Sequence, residues 1–137
     1  MGGKVLLGGR AEGALYPPTV LVDTPPEAQV CSNEAFAPLV VAFPYRDFGD
    51  AVRQVNDSFY GLQAGVFTND LRRSWQAFNE LEVGGVIVND VPTYRIDHMP
   101  YGGVKDSGLG REGIRFAIED MTEIRLLVLK DAGVLRE

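Results

Sequence analysis

Between residues 39 and 89 short apolar runs alternate with apolar stripes at spacings of three and four, and this constrains the fold more than any other feature. Leu39-Val40-Val41-Ala42-Phe43 is a continuous apolar run, the mark of a strand covered on both faces. Asp47 then offers a helix cap, with Phe48, Ala51, Val52 and Val55 on one helical face. Gly61 closes that unit, and residues 63–68 read as the next strand. Asp70 is a second cap, followed by a stripe of Leu71, Trp75, Phe78 and Leu81 that ends at Gly84-Gly85. Residues 86–88, Val-Ile-Val, form a third buried run. Strand, helix, strand, helix, strand with short connections predicts an α/β fold with a parallel β-α-β-α-β core.

Around this core the pattern is simpler. Lys4–Leu7 and Thr19–Val22 read as short strands, and Pro25-Pro26 breaks regularity after them. Residues 90–100 read as a loop that holds the one histidine, His98. Ile114, Ala117, Ile118 and Met121 define a C-terminal helix, and residues 123–130 read as a terminal strand. Trp75, Phe78 and Met121 lie on apolar helical stripes and are expected in the core.

Residues 101–113, Tyr-Gly-Gly-Val-Lys-Asp-Ser-Gly-Leu-Gly-Arg-Glu-Gly, carry five glycines in thirteen positions. The end of the stretch has the letters G-x-G-x-x-G. A dinucleotide-binding turn needs a buried strand before the first glycine and an acidic strand end about twenty residues beyond it. Neither is present in the sequence, so the glycines read as sites of close backbone approach. Lys105, Ser107 and Arg111 are expected to fix this loop.

The 137 residues suffice for one domain. Net charge is −6 without a basic stripe, which argues against a nucleic-acid partner. No apolar run approaches membrane-spanning length, and residues 5–7 are too short for a signal-peptide core. The single cysteine, Cys31, excludes an internal disulfide and suits a reducing, cytoplasmic compartment. One Cys and one His far apart make no metal site. Cys31 reads as a small buried hydrophobe.

Several stretches, in order, resemble one family, the NAD(P)-dependent aldehyde dehydrogenases. Residues 101–113 resemble its Pro-Phe-Gly-Gly-x-Lys-x-Ser-Gly-x-Gly-Arg-Glu segment. Asn33-Glu34-Ala35-Phe36-Ala37-Pro38 resembles Glu-Glu-x-Phe-Gly-Pro, with Ala37 in place of the usual glycine. Residues 60–68, 83–89 and 122–124 resemble the stretches that follow. The resemblance runs from about residue 3 to residue 130. It implies the carboxy-terminal part of a catalytic domain, treated as one unit over 1–137, with the nucleophilic cysteine, the general base and the dinucleotide-binding domain lying upstream of this chain. The intact enzyme would oxidise an aldehyde to a carboxylic acid through a cysteine thiohemiacetal, with NAD or NADP as cofactor. This chain alone would bind no cofactor and be inactive.

Residue by residue, the resemblance gives Glu34 the nicotinamide ribose hydroxyls, which a carboxylate accepts as a pair. It places Phe36 beside the nicotinamide ring. Tyr101 matches an aromatic of the substrate tunnel, and Tyr94 and Arg95 fall in the variable substrate loop, where Arg95 could pair a phosphate or carboxylate. Glu112 matches a proposed proton relay; a carboxylate in the first turn of a helix is the alternative. Residues 123–130 resemble the strand that joins subunits, so a homo-oligomer is expected. A non-catalytic interaction module, a gene remnant and a freestanding nucleotide binder at residues 108–113 remain as other readings.

Overall fold

The computed structural model describes residues 2–130; Met1 and residues 131–137 of the expected 1–137 unit lie outside the described residues. Seven strands and four helices follow in the order β1 (Lys4–Leu7), β2 (Thr19–Val22), α1 (Gln29–Ser32), β3 (Leu39–Ala42), α2 (Phe48–Asn56), β4 (Tyr60–Gly61), β5 (Gln63–Val66), α3 (Leu71–Glu80), β6 (Gly85–Val88), β7 (Val104–Lys105) and α4 (Ile114–Met121). Both expected caps form. The Asp47 carboxylate accepts from the Asp50 N–H at 3.0 Å, and Asp70 accepts from the Arg72 N–H at 2.8 Å.

The alternating α/β order is as the sequence predicts, and β5-α3-β6 is a parallel β-α-β unit running in register from Gln63↔Gly85 to Val66↔Val88. The three strands of the expected parallel β-α-β-α-β core do not share one sheet. Among the described residues the strands make three separate sheets, β1-β2-β3, β4-β7 and β5-β6. Strand β3 pairs in parallel with β2, and β2 antiparallel with β1. Helix α2 and the short β4 lie between β3 and β5 in the chain, and β3 and β5 enter different sheets.

The expectations for the core need correction. Among the described residues only Val52 and Ala77 are buried apolar residues, at 5 % and 0 % exposure. Trp75, Phe78 and Met121 are exposed, and Val40 and Phe43 of the presumed two-side-covered strand are exposed as well. Trp75 and Phe78 meet edge to face at 5.9 Å, on an open face. The chain exposes 11496 Å², against about 7,000 Å² for a compact protein of its mass. The stripes are real, but within these residues no second layer lies over them. Residues 123–130 pair with no strand among the described residues, and Ile124 and Leu126 to Leu129 are exposed.

What holds the elements together is backbone packed on backbone. A Cβ at Gly84 would fall 1.7 Å from the Gly102 carbonyl oxygen, so the glycine segment crosses the entry to β6 at a distance only glycine permits. Beside this crossing sits a polar knot. The Asn56 amide donates to the Glu80 carbonyl at 2.7 Å and accepts from the Glu82 N–H at 2.8 Å. Lys105 Nζ donates to the Asn56 carbonyl at 2.7 Å and meets the Glu82 carboxylate at 2.8 Å. Lys105 itself has φ 54°, a left-handed value for a residue other than glycine, which the knot sustains. Its side chain is 24 % exposed, whereas the arginines of the other ion pairs are all more than half exposed.

Gly84→Ala is expected to cost about 3 kcal/mol or more, because backbone rather than a flexible side chain must move. Lys105→Met is expected to cost about 2 kcal/mol through two lost charge-assisted bonds. Urea unfolding midpoints of the two variants check both.

Candidate functional site

The segment 101–113 leaves the β6 crossing, pairs briefly as β7 with β4, and turns back to meet itself. Tyr101 and Glu112 form an antiparallel bridge, with the Glu112 N–H donating to the Tyr101 carbonyl at 2.6 Å and the Tyr101 N–H to the Glu112 carbonyl at 3.2 Å. The loop between is fixed by the residues the sequence singles out. Ser107 Oγ accepts from the Gly61 N–H at 2.9 Å, and Arg111 Nη1 donates to the Gly103 and Gly110 carbonyls at 2.9 and 2.7 Å.

The dinucleotide-turn geometry is absent from this segment. The strand before Gly108 is the two-residue, antiparallel β7, and α4 opens at Gly113 without a side-chain cap. Gly113 has φ 109°, and a Cβ there would lie 2.5 Å from the Met99 carbonyl oxygen. The last glycine therefore serves a close backbone crossing.

Two clefts lie on either side of this segment. One is lined by Arg95, Tyr101, Glu112, Ile114 and Met121 among others. The other is lined by Cys31, Asn33, Glu34, Tyr60, Gln63 and Val83 among others. Leu62, Ser107 and Gly108 border both, so the clefts adjoin. In the first, Arg95 Nη2 meets Glu112 Oε2 at 2.6 Å, and the guanidinium lies over the Tyr101 ring, 4.8 Å from its centroid.

Three of the expected site residues, Arg95, Tyr101 and Glu112, are thus brought together. Glu34 stands in the adjoining cleft, exposed. Phe36 is 95 % exposed and lines neither cleft. Tyr94 is also outside both; its carbonyl accepts from Gln63 Nε2 at 3.2 Å, which ties the loop 90–100 to β5. Cys31 is half-buried at the Glu34 cleft rather than sealed in a core, because α1 has no layer over it among the described residues.

Asn56, Gln63 and Glu82 anchor this region and were not legible as such. Their bonds join positions up to 49 residues apart, and neither periodicity nor motif marks them. Away from the clefts, Arg115 on exposed α4 is raised above its ordinary value by its hydrogen bond to Glu119, four residues on, and by that carboxylate's charge. Among the described residues no group of three or more His, Cys, Asp or Glu could hold a metal ion, and no helix is long and apolar enough to cross a membrane.

Comparison with known proteins identifies a family. The profile of the Aldehyde dehydrogenase family matches residues 1–127. A 3-sulfolactaldehyde dehydrogenase of Priestia aryabhattai is 53 % identical over 128 residues, covering 93 % of this chain and 27 % of the relative. A lactaldehyde dehydrogenase of Methanococcus aeolicus is 44 % identical with the same coverage. Among solved structures, aldehyde dehydrogenase 21 from Physcomitrella patens, in complex with the reaction product succinate, superposes with a TM-score of 0.92 at 49 % identity, over 98 % of this chain and 28 % of that one. Glyceraldehyde-3-phosphate dehydrogenase from Methanocaldococcus jannaschii, complexed with NADP, gives 0.84 at 42 % identity, over 90 % of this chain and 27 % of that one. The chain spans about a quarter of the length of the relatives it matches. With a profile match over nearly its whole length and an α/β fold shared with these enzymes, the chain belongs to the aldehyde dehydrogenase family.

Proposed function

We propose that this chain is the carboxy-terminal part of the catalytic domain of an NAD(P)-dependent aldehyde dehydrogenase, which oxidises an aldehyde to a carboxylic acid through a cysteine thiohemiacetal. The observation that carries the reading is the pair of adjoining clefts, with Glu34 in one and Arg95, Tyr101 and Glu112 in the other. The motif order, with residues 33–38 ahead of residues 101–113, supports the carboxy-terminal placement.

In this reading the Glu34 cleft is the nucleotide side. An exposed carboxylate at a cleft rim fits the adjacent hydroxyls of a nicotinamide ribose, since each of its oxygens accepts a donor. Phe36, an exposed flat ring two residues on, restricts the nicotinamide once the rest of the enzyme encloses it. The nicotinamide, when bound, accepts the hydride. The other cleft is the aldehyde side. Tyr101 walls it, Arg95 offers a guanidinium to an acidic group on the substrate, and Tyr94, which lines neither cleft, precedes Arg95 on the same loop and is assigned to the substrate side with it. The reactive thiol, the general base and the pyrophosphate site are assigned to polypeptide beyond these residues. Cys31 stands three residues before Glu34, on the nucleotide side. The chain by itself is then inactive, binds no cofactor, and functions in a cytoplasmic enzyme.

A second reading rests on residues 123–130. Ile124 and Leu126 to Leu129 are exposed on a segment without a ladder partner among the described residues. Such a segment adds to the sheet edge of another subunit, which makes the chain a homo-oligomer or a non-catalytic association module.

Four results are expected. The isolated chain with aldehyde and NAD(P)+ gives no rise in NAD(P)H absorbance; activity that Cys31→Ala removes would overturn the assignment of the thiol. A hybrid in which this chain replaces the matching segment of the Priestia aryabhattai 3-sulfolactaldehyde dehydrogenase oxidises that enzyme's aldehyde. In it, Glu34→Gln raises KM for the dinucleotide about tenfold or more, the effect of losing charge-assisted bonds to two hydroxyls. By light scattering the isolated chain is a dimer or larger, and a clean monomer rules out association through residues 123–130.

A further inference from the structure

We infer that Glu112 is a positioning residue, which holds the Arg95 guanidinium across the Tyr101 ring and so sets the aldehyde-side wall, instead of relaying a proton. The inference rests on the catalytic reading above and assigns one residue within it.

Glu112 is engaged at both its main chain and its side chain. Its N–H and carbonyl are bonded to the carbonyl and N–H of Tyr101. Its carboxylate reaches back seventeen residues along the chain to Arg95 Nη2, at 2.6 Å. Arg95 in turn covers the Tyr101 ring at 4.8 Å. The three residues close a ring of contacts, Glu112 to Tyr101 by backbone, Glu112 to Arg95 by charge, and Arg95 to Tyr101 by cation–π contact.

The ion pair is more than half exposed on both sides, so its strength in isolation is small. Its effect is geometric. A planar guanidinium held at one edge and over one face has few orientations left. The loop 90–100 carries no strand or helix of its own to fix Arg95. Its side chain is tied to the Tyr101–Glu112 bridge by the Glu112 ion pair and by the Tyr101 ring, and of the two only the ion pair fixes an edge of the guanidinium. A relay carboxylate must swing between a donor and an acceptor, whereas this one is braced at its peptide and occupied at one oxygen.

The test uses the hybrid enzyme defined above, with Glu112→Gln, Arg95→Met and the double variant. Each single change is expected to raise KM for the aldehyde about tenfold, with kcat changed by less than about threefold. The double variant is expected to be no worse than the more affected single one, since both remove the same contact. The pH profile of kcat keeps its shape. If Glu112→Gln fails to fold, Glu112→Asp, which keeps the charge but shortens the reach, is compared in its place and shows the same rise in KM. A fall in kcat on Glu112→Gln that persists in the Arg95→Met background, with one limb of the pH profile lost, overturns the inference in favour of a relay. An unsubstituted hybrid that oxidises no aldehyde overturns the catalytic reading itself, which is a separate result.

Discussion

The crossing of residues 102–103 over the entry to β6 is the contact on which the rest of the site depends. There two stretches of main chain meet with no side chain between them, at Gly84 and Gly102. From that crossing β7 lies antiparallel to β4, Ser107 receives the Gly61 N–H, and Tyr101 comes round to face Glu112. Move the crossing outward by a methyl group and each of these contacts lengthens together. The glycines of this segment thus do for a cleft what they do elsewhere for a phosphate: they let backbone come close. The letters G-x-G-x-x-G do not by themselves distinguish the two uses; the preceding strand does.

This difference shows where the sequence is informative. The caps Asp47 and Asp70, the helices behind them and the parallel β5-α3-β6 unit are local, and their signals lie within a few residues of the structure they specify. The role of Lys105, Ser107 and Arg111 in fixing the loop was also legible, through the resemblance of the whole segment. The ladder order was not. Strand β3 chose β2 over β5, and nothing in an apolar run of five residues states its neighbour. Burial was misread for a related reason. Trp75, Phe78 and Val40 follow the periodicity of covered residues, but periodicity reports which face seeks cover, without saying that the cover belongs to the same 137 residues. At the site, Arg95, Tyr101 and Glu112 were each singled out separately, and the contact between Arg95 and Glu112 became visible only in three dimensions.

The surface carries the same message as the comparisons. A chain that matches its relatives over about a quarter of their length leaves apolar faces open on α3, α4 and residues 123–130, while its polar groups are well provided for. Among the described residues no buried side-chain nitrogen or oxygen lacks a partner. The open faces on these elements are hydrophobic, the surface that non-directional burial against other polypeptide covers most readily.

The shortness of the β4–β7 ladder has a further bearing on the clefts. It is two residues long, against four for β2–β3 and β5–β6, and β5, α3 and β6 lie between its two strands in the sequence. Fluctuations that break a few backbone bonds at a time reach such a ladder before they reach the longer ones. Tyr60 and Gly61 of this ladder line the Glu34 cleft, so that cleft feels such an opening before the longer ladders part, and the Lys105–Glu82 ion pair at the ladder's end opposes it.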